Sequence, residues 1–256
     1  MTINVKYLSE QQIERDALGL LEAYFQEQGQ PIQIPIPADE ILETYLGLSL
    51  DFDDLQALLG VPDVLGALWA DKREVFIDQS LEPDEHPEKE GRYNFSVGHE
   101  IGHWRLHRQY LANAKQQLSL FTDDKPEPTV ICRTSQAKER VEWQADFFSS
   151  CLLMPRQQVL DAWSARFGSL KPFVYADVAD QGWTRRTKYR GLRPTQEIMS
   201  RTVEEMLEPY ARAFDKIAKQ FKPLFRVSTQ AMRIRLENIG LLRIDHPGQQ
   251  DLFGGC

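Results

Sequence analysis

The sequence predicts an α+β chain in which helices surround one small sheet and a helical, basic segment follows. Three observations carry this reading: a capped amphipathic helix near the start, a pair of short alternating strands, and helical periodicity returning late in the chain. At 256 residues and 42 % apolar content, the chain can bury one good core and a second small one.

The elements follow in order. Ser9 with Gln12 three residues later has the pattern of a capping box, and Ile13, Ala17, Leu20, Leu21, Tyr24 and Phe25 recur at helical spacing. "QPIQIPIP" ends that helix and runs extended, because proline lacks a donor and restrains its predecessor. A short helix, "ADEILETYLG", comes next. "GALWADKREVFIDQS" reads as two strands about a polar turn, with Val75 and Ile77 alternating in the second. "LEPDEHPEKEG" is a charged surface loop in which His86 is a solvated bystander.

"FSVGHEIGHWRLH" then reads as a short helix, and residues 129–132 as a strand. A second long helix is expected from near Ser135, with Val141, Ala145, Phe148 and Leu152 as its apolar stripe and Met154-Pro155 as its end. Residues 168–195 lack periodicity and read as a connector. Helices resume in "TQEIMSRTVEEMLEPYARAFDKIAKQF", with a break expected near Pro209. "TQAMRIRLENIG" follows, with Ser228 as N-cap and Gly240 as its stop. A helix, tight turn and helix over 217–240 is the natural reading.

Composition bounds the class. The start of the chain lacks an apolar export signal and no run of ~18 apolar residues occurs, so a protein of the cytoplasm, without a membrane span, is expected. Cys132, Cys151 and Cys256 are odd in number and lack CxxC spacing, which argues against a disulfide framework and against a cysteine-based zinc site. The net charge of -8 is uneven: residues 181–243 hold 14 Lys+Arg against 6 Asp+Glu, while the rest is acidic. The basic part can face an anionic partner, whereas the acidic body repels nucleic acid.

The chemistry sits in His99, Glu100 and His103, which spell H-E-x-x-H. On an α-helix, residues four apart lie ~40° apart around the axis and ~6 Å along it, so both imidazoles can reach one ion. Glu100 falls beside that face, placed to work on water without ligating. Two neutral imidazoles leave most of the charge on Zn²⁺, which acidifies water and polarises a carbonyl while a nearby carboxylate moves the proton. A catalytic zinc wants a third protein ligand, and three residues compete. His107 lies ~12 Å from His99 along a regular helix, too far for one ion. Glu142 and Glu139 lie on the next long helix, and Asp146, one turn beyond Glu142, can hold a ligating histidine by its free N–H.

Three blocks, "RYNFSVGHEIGHWRLH", "EWQADFFSSCLLMP" and "FRVSTQAMRIRLENIGLL", together resemble the hallmarks of the ImmA/IrrE family of metallopeptidases, in the family's order. The resemblance runs from about Pro37 to Leu242. It implies a zincin-like fold in which His99, His103 and Glu142 match the metal ligands and Glu100 matches the general base. Glu142 stands in the family's E-x-x-A-[DN]-x-F block, which selects it over Glu139. The family implies a cytoplasmic zinc endopeptidase that cleaves helix-turn-helix repressors. "LEPDEHPEKEGRY" and residues 168–195 match no family landmark. The organisation expected is a zincin-like metallopeptidase domain at 1–167, a connector at 168–195, a helix-turn-helix-like segment at 196–243 and a flexible tail at 244–256. A rival of another class is a non-catalytic regulatory protein, in a toxin-antitoxin or phage-defence pair, that uses the same metal-bearing fold for docking.

Two partner signals stand apart. Arg226, Arg233 and Arg235 near the second helix of the 217–240 pair would contact DNA if they share an exposed face. The other reading makes that pair a platform, with Met232, Ile234 and Leu236 partly buried, or a dock for the repressor. "QQDLF" at 249–253 and "QLSLF" at 117–121 resemble short peptides that dock on bacterial sliding clamps.

Overall fold

A computed structural model describes residues 5–110, 128–133, 139–175 and 203–244. The two clamp-like peptides, the helix start expected near Ser135 and most of the 168–195 connector lie outside these residues. Among the described residues no helix is long and apolar enough to cross a membrane. The chain is a mixed α+β protein and divides into two compact units. The first is Met1–Val159 with Pro223–Ser228, and the second is Leu160–Lys222 with Thr229–Cys256.

Helix α1 (Glu10–Glu27) opens the first unit. Its N-cap Ser9 and Gln12 form the reciprocal capping box, and its six apolar positions from Ile13 to Phe25 are all buried. Helix α2 (Ala38–Glu40) continues as a π turn at Ile41–Tyr45. Strand β1 (Ser49–Asp53) and helix α3 (Leu55–Leu59) come next. Sequence patterning does not flag either: β1 has no buried face, and α3 is one turn capped by Asp54 and closed by Gly60 at φ 66.

Strands β2 (Val64–Trp69) and β3 (Glu74–Asp78) are the predicted pair, joined through Ala70–Arg73. Strand β4 (Val130–Arg133) completes a sheet of order β1-β3-β2-β4, parallel only between β1 and β3. β2 is buried along almost its whole length, whereas β3 alternates, with Val75 and Ile77 buried. On one part of the sheet Leu55, Val64, Ala67 and Trp69 form a core cluster with Leu59, Val61 and Phe76.

Helix α4 (Glu90–Gly102) starts well before the histidine motif and continues as a π turn at His103–His107. Helix α5 (Arg140–Leu153) buries the four predicted stripe residues. Gly98 and Gly102 let α4 approach α5 closely: a methyl at Gly98 would stand 2.5 Å from Ser149 Oγ, and one at Gly102 3.1 Å from Ala145 Cα. At Gly102 the obstacle is backbone and cannot swing away. Gly102→Val is therefore expected to lower stability by about 1–3 kcal/mol, the usual range for overpacking. Denaturant unfolding of the metal-free protein measures it.

Helix α6 (Arg156–Phe167) begins just beyond Pro155, and its part from Leu160 onward, which carries Trp163, belongs to the second unit. Trp163 is fully buried and stacks on Phe221 at 5.7 Å, with Phe167 and Phe173 against it. Strand β5 (Phe173–Val174) pairs with β6 (Leu242–Arg243) in parallel. Helix α7 (Val203–Ala218) is continuous across Pro209, so losing one backbone donor there does not end the helix. Helix α8 (Lys222–Phe225), which from Pro223 belongs to the first unit, and helix α9 (Thr229–Asn238) of the second unit follow, and Gly240 stops α9 at φ 78.

Candidate metal centre

The close α4–α5 packing brings the motif face to face with the acids of α5. His99 Nε2 lies 2.8 Å from His103 Nε2 and 3.2 Å from Glu142 Oε2. His103 Nε2 lies 3.5 Å from Glu142 Oε1. All three residues are buried, and their donor atoms converge as one group. Donors at ~2.0–2.1 Å from a tetrahedral zinc are spaced by about 3.3–3.4 Å. The three separations, 2.8, 3.2 and 3.5 Å, bracket that spacing. Two imidazoles and one carboxylate are also a donor set of catalytic zinc sites. The residues present fit a divalent metal.

The remaining ring nitrogens are held in a consistent way. His99 Nδ1 is 2.8 Å from Asp146 Oδ1, so it can donate there and leave the Nε2 lone pair to the cluster. His103 Nδ1 is 3.1 Å from His107 Nδ1, and His107 Nε2 is 2.9 Å from Gln144 Oε1. Gln144 Nε2 donates in turn to the Lys6 carbonyl at 3.0 Å. If His103 donates from Nδ1 and His107 from Nε2, every link in this chain is satisfied and His103 Nε2 also faces the cluster as a lone pair.

This places His107 behind His103. A regular helix already puts it too far from His99, and the π turn that begins at His103 sets its ring against His103 instead. Glu139 occupies the N-cap position of α5, with extended backbone, and is not among the converging donors. Gln144 is fully buried in the stripe between Val141 and Ala145. A polar residue in an otherwise apolar stripe was its sequence signal. Gln144→Leu is expected to weaken zinc affinity by about 10–100-fold with the fold retained, as outer partners of metal ligands usually do. Competition against a fluorescent chelator measures it.

Glu100 differs from every other group here. It is wholly buried, and neither carboxylate oxygen has a hydrogen-bond partner. Its side chain lies over the backbone of β2: a methyl at Gly66 would stand 2.5 Å from Glu100 Oε1. Burial pushes its carboxyl up to about 8, with nearby His99 pulling down and Glu142 pushing up.

The neighbours respond according to their surroundings. Burial opposes the ionised form of Glu142, but hydrogen bonds to His103 and His99 hold it well below the usual carboxylate range. Burial also opposes charge on His99, yet Cys132, Asp146 and Glu142 together raise it well above its ordinary value. Burial and the charge on His99 lower His103, and burial with His103 lowers His107 to about 4. Cys132, from β4, lies beside His99, and burial raises its thiol to about 11. The spacing of the three cysteines argues against a disulfide framework and against a cysteine-based zinc site, and nothing local in the sequence shows which face Cys132 takes.

Comparison with known proteins adds a similarity to a known family. Residues 72–179 match the Peptidase M78 family model, described as the IrrE N-terminal-like domain. No curated protein matches the chain. A solved structure of a Mycobacterium tuberculosis transcriptional regulator aligns over 93 % of this chain at 14 % identity and a TM-score of 0.38. The alignment covers 49 % of that protein, so this chain spans about half its length. The matched segment contains α4, β4 and α5, and with them His99, Glu100, His103, Cys132, Glu142 and Asp146. Over residues 72–179 the chain is thus similar to the IrrE N-terminal-like domain of the Peptidase M78 family.

Proposed function

We propose that this chain is a zinc-dependent endopeptidase whose substrate is a helix-turn-helix transcriptional repressor, cleaved to relieve repression of a phage, mobile element or stress response. One observation carries the hydrolase reading: a converging two-imidazole, one-carboxylate donor set beside a buried glutamate with both oxygens unpartnered. A binding module needs the donors but has no use for that costly glutamate.

Held by His99, His103 and Glu142, Zn²⁺ would supply a Lewis acid that polarises a peptide carbonyl and makes water a better nucleophile at neutral pH. Glu100 takes the proton from the attacking water and passes it to the departing amine. Asp146 and the His107–Gln144 pair fix the two imidazoles, so neither ring has to reorient during the reaction. Burial of Glu100 keeps bulk water from exchanging that proton before the amine leaves.

The repressor as substrate rests on the resemblance of the three sequence blocks. A protein partner also suits the basic helices better than duplex DNA does. Arg235 is buried, and Arg233 holds Asp215 at 2.9 Å and Glu237 at 3.2 Å, so α9 does not offer these two as free cations. Buried Cys132 and Cys151 form no disulfide among the described residues, which accords with a reducing cytoplasm.

The test incubates a candidate repressor with the zinc-loaded chain, the chelated chain and the chelated chain resupplied with zinc. Fragments are read by mass spectrometry. Discrete cleavage that disappears on chelation and returns with zinc is the expected result. Cleavage that survives complete metal removal would sink the proposal, and stable repressor binding without cleavage would leave the non-catalytic docking protein in its place.

A further inference from the structure

Strand register places a thiol beside the centre that the H-E-x-x-H pattern and the α5 acids do not account for. Gly66 of β2 pairs with Cys132 of β4. Partners directly opposite in an antiparallel pair project from the same face of the sheet. Gly66 identifies that face, since a side chain there would run into Glu100. Cys132 therefore projects toward α4, where its Sγ, a ring nitrogen of His99 and a carboxylate oxygen of Glu100 all lie within 4.8 Å of one another.

A second observation points to a ligand rather than to simple packing. Glu100, fully buried beside this thiol, has no donor for either oxygen. A buried carboxylate facing a sulfur and a ring nitrogen, with no proton donor, has the surroundings of a group turned toward a cation. His99 belongs both to this trio and to the trio with His103 and Glu142. β2 also shifts register between Val64 and Gly66, next to the Cys132 pairing. Such a bulge re-aims the strand beside a site.

We propose that Cys132 is a fourth donor to the metal held by His99, His103 and Glu142, supplied from the sheet side, so that the resting centre is closed. The inference rests on the metal-site reading above. Cys132 gives its thiol proton to solvent as its sulfur takes up the fourth position, so metal binding releases one proton more than it does in a chain lacking this thiol. Four protein donors make a closed site, whereas hydrolysis needs one position open. The sulfur must therefore be displaced before a substrate carbonyl can reach the metal, and Cys132 holds the enzyme latent until then. A thiolate donor also selects zinc over magnesium or manganese.

X-ray absorption at the zinc edge tests this on the full chain, with Cys132→Ser alongside and metal content measured for both. The expected result is one zinc in each, with a sulfur shell at about 2.3 Å in the wild type that is absent from Cys132→Ser, and nitrogen or oxygen at about 2.0–2.1 Å in both. One zinc in the wild type with no sulfur shell overturns the proposal and leaves the three-donor centre standing. No zinc in the wild type overturns both readings. A sulfur shell that persists in Cys132→Ser assigns the sulfur to another cysteine and also overturns it. The wild-type spectrum decides the main question even if the variant fails to fold.

Discussion

Glu100→Ala is expected to retain one equivalent of metal while peptide-bond hydrolysis falls by about 10²–10⁴-fold, the usual contribution of a general base. The two readouts separate because Glu100 lies outside the His99–His103–Glu142 group, although it shares a helix with both histidines. A simple structural role predicts another pattern. If the carboxylate merely filled space against β2, Glu100→Gln would preserve activity, since it keeps the volume over Gly66. The base assignment requires Glu100→Gln to be as inactive as Glu100→Ala. Metal analysis alongside single-turnover cleavage of a repressor substrate checks both, and substantial cleavage by either variant would refute the assignment.

Gly66 offers an independent approach to the same carboxylate. Gly66→Ala puts a methyl 2.5 Å from the present position of Glu100 Oε1, so the carboxylate has to move while the three converging donors are untouched. A loss of kcat with unchanged metal content is expected, because a displacement near 1 Å can cost on the order of 100-fold when positioning matters. Steady-state kinetics on the zinc-loaded variant measures it.

Much of this arrangement was legible in the sequence, and the parts that were not share a physical cause. Local rules are strong for α1, where the cap and a 3.6-residue period agree, and for β2 and β3, where alternation flanks a polar turn. They are weak for β1, whose side chains alternate between exposed and half-buried, and for the single-turn α3. The H-E-x-x-H pairing follows from helix geometry alone. Choosing Glu142 over Glu139 needed the family block, because only the start of α5 decides which acid is helical and which is the N-cap. The role of Cys132 was hidden because it depends on strand register, and Gln144, although marked as a polar residue in an apolar stripe, shows its partner only through the contact between helices distant in sequence. A regular α-helix also misplaces His107, since the turn that carries it is a π turn.

Replacing Glu142 of α5, compared with Glu139 at its N-cap, gives the other large effect. Glu142→Gln keeps side-chain volume but removes the negative charge between His99 and His103, and it is expected to cost zinc affinity more than the roughly 10–100-fold typical of an outer partner. The loss has two sources. One donor oxygen is replaced by a weaker amide, and the two imidazoles, 2.8 Å apart at Nε2, lose the anion that lies between 3.2 and 3.5 Å from them. Glu139→Gln should bind zinc as the wild type does, because Glu139 caps the helix through its backbone and makes no side-chain cap. Elemental analysis after dialysis against a graded series of chelators reads both variants on one scale. Equal zinc retention in the two would remove Glu142 from the centre, and with it the charge that makes a two-histidine site hold a divalent ion in a buried setting.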